Sequence, residues 1–244
     1  QVLDRAAAVR WSDLRPEPES GGQPSLQIVL DHVPDRATDV VFSWCLDTTC
    51  ADVTLDDDAD ATLPNSFEIP EAAPGTYVVR AAVPDHWLLV GLSCTTGETV
   101  DPVAAEVTVD LVEGEQTTCR FEDRETGVLL RSDEPTGSGT DFTYELCRIG
   151  GDCYPIVLDD GDDPTLASWA WIGGLVPGTY MVSQDVPPGW GVTDIECGSP
   201  VDPSGATATF DLALGQQLTC RFLDRRSTIR LVHDTPTTTP DDFT

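Results

Sequence analysis

An internal repeat of domain size constrains this chain more than any other feature. The segment from Pro177 to Tyr180 reads Pro-Gly-Thr-Tyr, and it is followed by Trp190, Cys197 and a Cys-Arg-Phe segment that begins at Cys220. Roughly 100 residues earlier the same features occur in the same order, at Pro74 to Tyr77, Trp87, Cys94 and Cys119. The repeat predicts two copies of one folding unit, each of about 100 residues.

The repeat divides the 244 residues into four segments. Residues 1–25 form an N-terminal segment or linker, residues 26–125 the first repeat, residues 126–226 the second, and residues 227–244 the first strands of an incomplete third repeat. Two explanations of the last segment remain open. Either the polypeptide continues as an array of repeats, or a strand containing Ile229, Leu231 and His233 completes a sheet in a neighbouring molecule.

Short alternations of apolar and polar residues between turns predict an all-β fold. In the first copy Val40, Phe42 and Trp44 alternate with Val41 and Ser43, and Phe142 and Tyr144 take equivalent places in the second copy. Each copy contains about seven such strands, which is typical of a β-sandwich. The prediction is two tandem seven-stranded β-sandwiches with a short junction near residue 125.

Eight cysteines divide equally between the copies: Cys45, Cys50, Cys94 and Cys119 in the first, then Cys147, Cys153, Cys197 and Cys220 in the second. Three patterns remain open if both copies pair their cysteines in the same way. We favour Cys45–Cys50, Cys94–Cys119, Cys147–Cys153 and Cys197–Cys220, because each pair then joins neighbouring strands or the mouth of a hairpin. Such a framework predicts an oxidising, extracytoplasmic compartment. The wide spacing of the later cysteines disfavours a zinc site.

The chain is strongly acidic, with a formal net charge of −30, and all 13 of its cations are arginine. This field repels phosphate backbones, so nucleic acid is excluded as a partner. No run of eighteen apolar residues is present in the sequence, so no membrane insertion is expected from this segment.

Acidic turns at equivalent places in both copies are candidate Ca²⁺ sites. Their acids are Asp56, Asp58 and Asp60 in the first copy and Asp159, Asp160, Asp162 and Asp163 in the second. Carboxylates at alternate positions of a loop can converge on Ca²⁺, which takes six to eight oxygen ligands. The alternative is a solvated hairpin turn whose charges prevent edge-to-edge aggregation. Apart from Ca²⁺, no cofactor is expected.

Tryptophans suggest two further roles. Trp87 and Trp190 each precede a cysteine by the same interval, which is compatible with carbohydrate stacking but favours packing over a disulfide in the core. Trp169 and Trp171 share one face of a strand and align with Phe67 and Ile69 of the first copy. Core packing is favoured for this pair, and an interface is the alternative if the pair is exposed.

No catalytic constellation is recognisable in the sequence. The three histidines, His32, His86 and His233, do not recur at equivalent positions, and no nucleophile elbow, zinc-protease helix or phosphate loop is present. The chain is therefore expected not to be an enzyme.

The repeat resembles the prealbumin-like (transthyretin-type) domains of bacterial surface proteins, including collagen-adhesin B-type and SpaA-type modules. The resemblance rests on the Pro-Gly-Thr-Tyr turn, the segment Pro187–Trp190, and the final strands Leu111–Phe121 and Leu212–Phe222. It implies prealbumin/Ig-like sandwiches. Many relatives carry a Lys–Asn or Lys–Asp isopeptide bond assisted by a Glu. This chain has no Lys and has Ala81 and Gln184 at the positions of that Glu, so disulfides are expected to be the covalent link.

These features lead to the expectation of an extracellular, cell-surface structural or adhesive repeat protein in a stalk, sheath or filament. Its expected partners are neighbouring repeats or other copies of itself. The alternative is a Ca²⁺-dependent carbohydrate- or protein-binding module of a larger secreted protein, with a glycan or a surface protein as partner. A third hypothesis is an accessory domain of a secreted hydrolase.

Overall fold

The computed structural model describes residues 22–134, 138–159, 165–201 and 205–228. Several predicted features lie outside these ranges: most of the N-terminal segment, the strand containing Ile229, Leu231 and His233, and the acids Asp160, Asp162 and Asp163. The hypotheses about these residues stay predictions. Among the described residues, no helix is long and apolar enough to cross a membrane.

Two compact units meet between Thr126 and Gly127. Thr126 alone separates the last strand of the first unit from the first strand of the second. Its N–H donates to the His86 carbonyl at 2.9 Å, and the Gly127 N–H donates to the Gln216 carbonyl at 3.0 Å. Each residue of the junction is therefore bonded within its own unit.

The first unit has two sheets, with strand orders β4-β1-β9-β6 and β3-β2-β5-β8-β7. β1 and β9 are parallel, and the other neighbours are antiparallel. The strands are β1 (Ser25–Val33), β2 (Arg36–Leu46), β3 (Thr49–Asp57), β4 (Ser66–Glu68), β5 (Gly75–Ala82), β6 (Trp87–Cys94), β7 (Glu98–Asp101), β8 (Glu106–Leu111) and β9 (Gln116–Glu125).

The second unit repeats this plan, with orders β13-β10-β18-β15-β16 and β12-β11-β14-β17 and a parallel β10–β18 pair. One short strand changes sheets, because β7 pairs with β8 whereas its counterpart β16 pairs with β15. The strands are β10 (Gly127–Asp133), β11 (Phe142–Arg148), β12 (Cys153–Leu158), β13 (Trp169–Ile172), β14 (Gly178–Asp185), β15 (Trp190–Cys197), β16 (Ser199–Val201), β17 (Thr207–Leu212) and β18 (Gln217–Arg226).

The core of each unit lies between its two sheets, so the predicted all-β sandwich is confirmed. The buried positions alternate along the strands, as in β1, where every second residue is buried. Edge-to-face ring pairs join the sheets at equivalent places, Phe42 to Phe121 at 5.0 Å between centroids and Tyr144 to Phe222 at 5.1 Å. Each unit has nine strands among the described residues rather than seven, since strands as short as Glu98–Asp101 show little periodicity in sequence.

The repeated Pro-Gly-Thr-Tyr motif has a structural explanation. Gly75 has a φ of 154°, and a Cβ there would lie 2.6 Å from the Leu46 Cδ1 atom, so only glycine fits at the start of β5. The following tyrosines are buried, and each hydroxyl is bonded to nearby backbone: Tyr77 accepts from the Ala73 N–H at 3.0 Å, and Tyr180 donates to the Val176 carbonyl at 2.7 Å. The motif therefore determines the backbone conformation at the start of one core strand in each unit.

All eight cysteines lie within the described residues and form four disulfides. The pairs are Cys45–Cys50, Cys94–Cys119, Cys147–Cys153 and Cys197–Cys220, which is the pattern favoured from the sequence. Two bonds join adjacent strands at hairpin mouths, β2 to β3 and β11 to β12. The other two join β6 to β9 and β15 to β18.

Candidate functional site: the acidic turn and the buried carboxylates

The acidic turn of the first unit follows directly from the end of β3. Asp56 belongs to that strand, whereas Asp58 and Asp60 lie in the turn. One carboxylate oxygen from each of the three lies within 4.8 Å of the others. The structure therefore brings together the three acids that the sequence singled out, at a separation that one hard cation would bridge.

Hydrogen bonds within the turn occupy several of these oxygens. The Asp60 N–H donates to Asp58 Oδ1 at 2.7 Å, and the Thr62 N–H donates to Asp60 Oδ1 at 2.6 Å. The Thr62 hydroxyl donates to Asp56 Oδ2 at 3.3 Å. Aspartates often stabilise turns in this way, so the turn geometry by itself does not require a metal.

The charge of Asp56 is poorly compensated, unlike that of Asp60. Asp56 is 2% exposed, and its pKa is raised first by burial and then by the charge of Asp58. In contrast, the hydrogen bonds from Thr62 lower the pKa of Asp60. A divalent cation would offset both the burial and the repulsion at Asp56.

The second unit does not offer a comparable described cluster. Asp159 is buried, and the other acids of its turn lie outside the described residues. The oxygen of Glu145 lies close to the sulfurs of Cys147 and Cys153. Because these sulfurs form a disulfide, they are not thiolate ligands.

A buried carboxylate in the last strand of the first unit was not anticipated. Asp123 follows Cys119 and Phe121 in the inward-facing series of β9 and is 0% exposed. Neither of its oxygens accepts a hydrogen bond within the part of the chain that the structure describes. Burial raises the pKa of Asp123 to about 6. Its register partner on β1 is His32, whose pKa is lowered, chiefly by burial.

Asp224 occupies the same place in β18 of the second unit and is also 0% exposed. The Gln184 Nε2 atom donates to Asp224 Oδ2 at 2.7 Å and to the Tyr144 hydroxyl at 3.3 Å. Burial is the main cause that raises the pKa of Asp224 to about 6, and the charge of Glu134 adds to it, whereas the bond from Gln184 opposes it. Gln184 is the residue that stands where the resemblance implies a Glu.

These interior acids are enclosed, so they do not face a substrate. A buried carboxylate that lacks a cation destabilises the folded state when it is ionised. The signal that identifies Asp123 and Asp224 is the alternation itself: a strand that directs Cys119 and Phe121 inward also directs Asp123 inward.

Two tryptophans of the repeat motif lie against aromatic neighbours rather than disulfides. Trp87 is 5% exposed, and its ring centroid lies 4.2 Å from that of His32. The prediction of core packing is therefore correct for Trp87, and its ring is too enclosed to stack on a carbohydrate. Trp190 packs edge-on against Phe142 at 5.2 Å, with the Arg226 guanidinium 5.6 Å from its ring centroid. Packing over a disulfide was wrong, because each tryptophan begins a strand that the cysteine ends.

The alignment of Trp169 and Trp171 with Phe67 and Ile69 was wrong by one residue. Leu130 pairs with Ala170, and Ile28, its equivalent, pairs with Phe67. Because a shift of one residue exchanges the faces of a strand, both tryptophans lie on the outer face of β13. Core packing therefore does not apply to Trp169, which is 52% exposed.

Comparisons with known proteins add structural likenesses only. No protein-family model matches the chain, and no curated protein matches it. The major pilin of Streptococcus pyogenes is similar at 14% identity and a TM-score of 0.36, covering 85% of this chain and 99% of the pilin. A C-terminal fragment of the pilus adhesin SpaC from Lactobacillus rhamnosus GG is similar at 13% identity and a TM-score of 0.29, covering 86% and 100%. At these values the likenesses carry no argument about function.

Proposed function

We propose that this chain is an extracellular structural or adhesive repeat protein that forms part of a surface stalk, sheath or filament. The observation that carries the proposal is the repetition of one disulfide-bonded sandwich with a single residue at the junction. Every cysteine is used in a disulfide inside its own unit, which suits an oxidising, extracytoplasmic location.

Further support comes from the structural roles of the motifs that the two copies share. The Pro-Gly-Thr-Tyr turn and the cysteine pairs build the sandwich, and the buried acids lie out of reach of a substrate. The motifs shared by the copies are therefore accounted for by folding. A repeated unit of this kind suits a spacer or an assembly subunit better than an active site.

Electron microscopy and sedimentation velocity test this proposal. We expect the purified chain to form rods or fibres, with an average mass that rises with protein concentration. A sample unfolded by reduction of its disulfides is the control, and it should lose the ordered assemblies. A single monomeric species at every concentration, with both units folded, contradicts the proposal.

A second candidate function is Ca²⁺-dependent binding of a glycan or a surface protein. It is favoured by one observation, the convergence of Asp56, Asp58 and Asp60 within 4.8 Å. On this hypothesis Ca²⁺ would order the turn after β3 and present it to a ligand.

We expect Ca²⁺ to raise the melting temperature of the first unit by several degrees, and EDTA to reverse the change. A ligand at 100 times its dissociation constant stabilises the folded state by about 2.7 kcal/mol. Asp58→Asn retains the acceptor for the Asp60 N–H but removes a charge, so it should reduce the shift. Asp52→Asn, at an exposed position of β3, is the matched control. An unchanged melting curve at low ionic strength excludes the metal site.

A further inference from the structure

The two units differ sharply on one outer face, although their backbones match. Alternate burial along β10 places Leu129 and Arg131 on the outside, and their register partners on β13 are Trp171 and Trp169. Directly opposite residues of an antiparallel pair lie on the same face of the sheet. The second unit therefore carries a contiguous group of three apolar side chains and one cation, which we term the Trp169 face: Leu129, Arg131, Trp169 and Trp171.

The first unit has polar residues at most of the equivalent places. Gln27 pairs with Glu68, and Val29 pairs with Ser66. Glu68 is exposed at the end of edge strand β4. The exchange of Ser66 and Glu68 for two tryptophans is not required by the fold, because the first unit forms the same sheet without them.

The Trp169 face lies on an edge strand that no charged residue protects. β13 is the edge strand of its sheet and reads Trp-Ala-Trp-Ile, with no charged residue, whereas natural sheet edges are commonly protected by charge. Trp169 is 52% exposed. Exposed tryptophan beside arginine is the composition found at the energetic centres of protein interfaces.

Arg131 gives the Trp169 face an exposed positive charge. Arg131 is exposed and forms no ion pair with any residue that the structure describes. Its neighbour across the sheet is Arg221, which is paired with the nearby carboxylate of Asp133. The Arg221 Nε atom donates to Asp133 Oδ2 at 2.7 Å. An exposed cation beside an exposed tryptophan favours an acidic partner.

We propose that the Trp169 face binds the first unit of a second copy of this chain, at the face that carries Glu68. With 43 acidic and 13 basic residues, another copy supplies the complementary charge. Pairing of the face with itself would bring Arg131 of one copy towards Arg131 of the other, and these like charges disfavour it. The contact is therefore heterologous and joins copies head to tail, which extends an assembly rather than closing a dimer. This inference rests on the proposed function, since it names the surface used for self-association.

Substitutions on each side of the contact test the proposal by sedimentation velocity over a range of concentrations. We expect Trp169→Ser, Arg131→Glu and Glu68→Arg each to weaken self-association at least tenfold, which corresponds to about 1.4 kcal/mol. The charge-swapped double variant, Arg131→Glu with Glu68→Arg, should recover most of the loss caused by either single change.

Matched controls separate the contact from general effects. Ile149→Ser removes another exposed apolar side chain from the second unit, and Glu113→Arg makes the same charge change as Glu68→Arg at an exposed turn of the first unit. Neither control should weaken association. Far-ultraviolet circular dichroism and melting curves establish that each variant is folded.

The possible results distinguish this inference from the proposed function. If the Trp169→Ser and Arg131→Glu variants both associate as strongly as the wild-type chain, the inference is overturned and the proposed function is left intact. If Arg131→Glu and Glu68→Arg each weaken self-association and the double variant does not recover it, Glu68 is not the residue that contacts Arg131. A wild-type chain that remains monomeric at every concentration overturns the self-association on which both rest.

Discussion

Replacing the buried Asp224 by Asn should stabilise the second unit by about 2 to 3 kcal/mol at pH 8. Asp224 is 0% exposed, and burial is the main cause that raises its pKa from 3.8 to about 6. Ionisation at pH 8 therefore costs more in the folded state than in the unfolded one. Asn keeps the size of the side chain and an oxygen that accepts from Gln184, but it carries no charge.

The same shift fixes the direction of the pH dependence. Because the folded pKa lies above the unfolded value, the folded state takes up a proton first, and its stability rises as the pH falls through 6. The gain should be about 1.4 kcal/mol between pH 8 and pH 5 and should be complete below pH 3.8, the unfolded value. In the first unit Asp123 acts in the same direction, but His32, whose pKa is lowered by burial, opposes it as the pH falls below 6.5. We therefore expect a larger acid stabilisation in the second unit.

Calorimetric melting of the full chain between pH 8 and pH 5 measures both effects. Asp224→Asn should raise one transition at pH 8 and flatten its pH dependence, and Asp123→Asn should do the same for the other. Asp152→Asn, an exposed acid of the second unit, controls for the reduced net charge. A loss of stability at pH 8 in Asp224→Asn contradicts the prediction, because it means that the ionised carboxylate is favourable where it lies.

Removal of the Cys197–Cys220 disulfide should cost more than removal of Cys147–Cys153. The chain-entropy relation gives about 3 kcal/mol for a loop of 23 residues and about 2 kcal/mol for a loop of 6. Cys197 and Cys220 are also buried, so their replacement by alanine leaves a small cavity that adds to the loss. Cys153 lies on an exposed edge strand and has little packing to lose.

Urea-induced unfolding of the two double alanine variants measures this difference. The transition of the first unit, whose disulfides stay intact in both variants, serves as the internal control. We expect that transition to stay in place while the transition of the second unit moves to lower urea concentration. An equal or larger loss in the Cys147→Ala, Cys153→Ala variant contradicts the prediction.

Much of the fold could be predicted because it depends on local patterns. The apolar alternation at Val40 and Phe42 predicts a half-buried strand, and both side chains are buried. The repeat places equivalent residues in equivalent environments, as with Tyr77 and Tyr180. Period-2 patterns and turn residues act within a few residues, so one copy of the sequence is sufficient to reveal them.

Strand neighbours could not be predicted in the same way. The parallel pairing of β1 with β9 joins the two ends of the first unit, and no local pattern specifies a partner so distant in the chain. The placement of Trp169 depended on the register of β13 against β10. An error of one residue was enough to assign that side chain to the core instead of the surface.

The sequence by itself determined the repeat, the strand character of its segments and the cysteine content, because these follow from residue type and spacing along the chain. Only the tertiary structure decided which acids are enclosed and which aromatic residues are exposed. Burial depends on what the opposite sheet and the neighbouring strands place around a side chain. The alternation along β18 directs Asp224, one of 43 acids in the sequence, inward with Cys220 and Phe222. Only the packing of the two sheets encloses its carboxylate and raises its pKa.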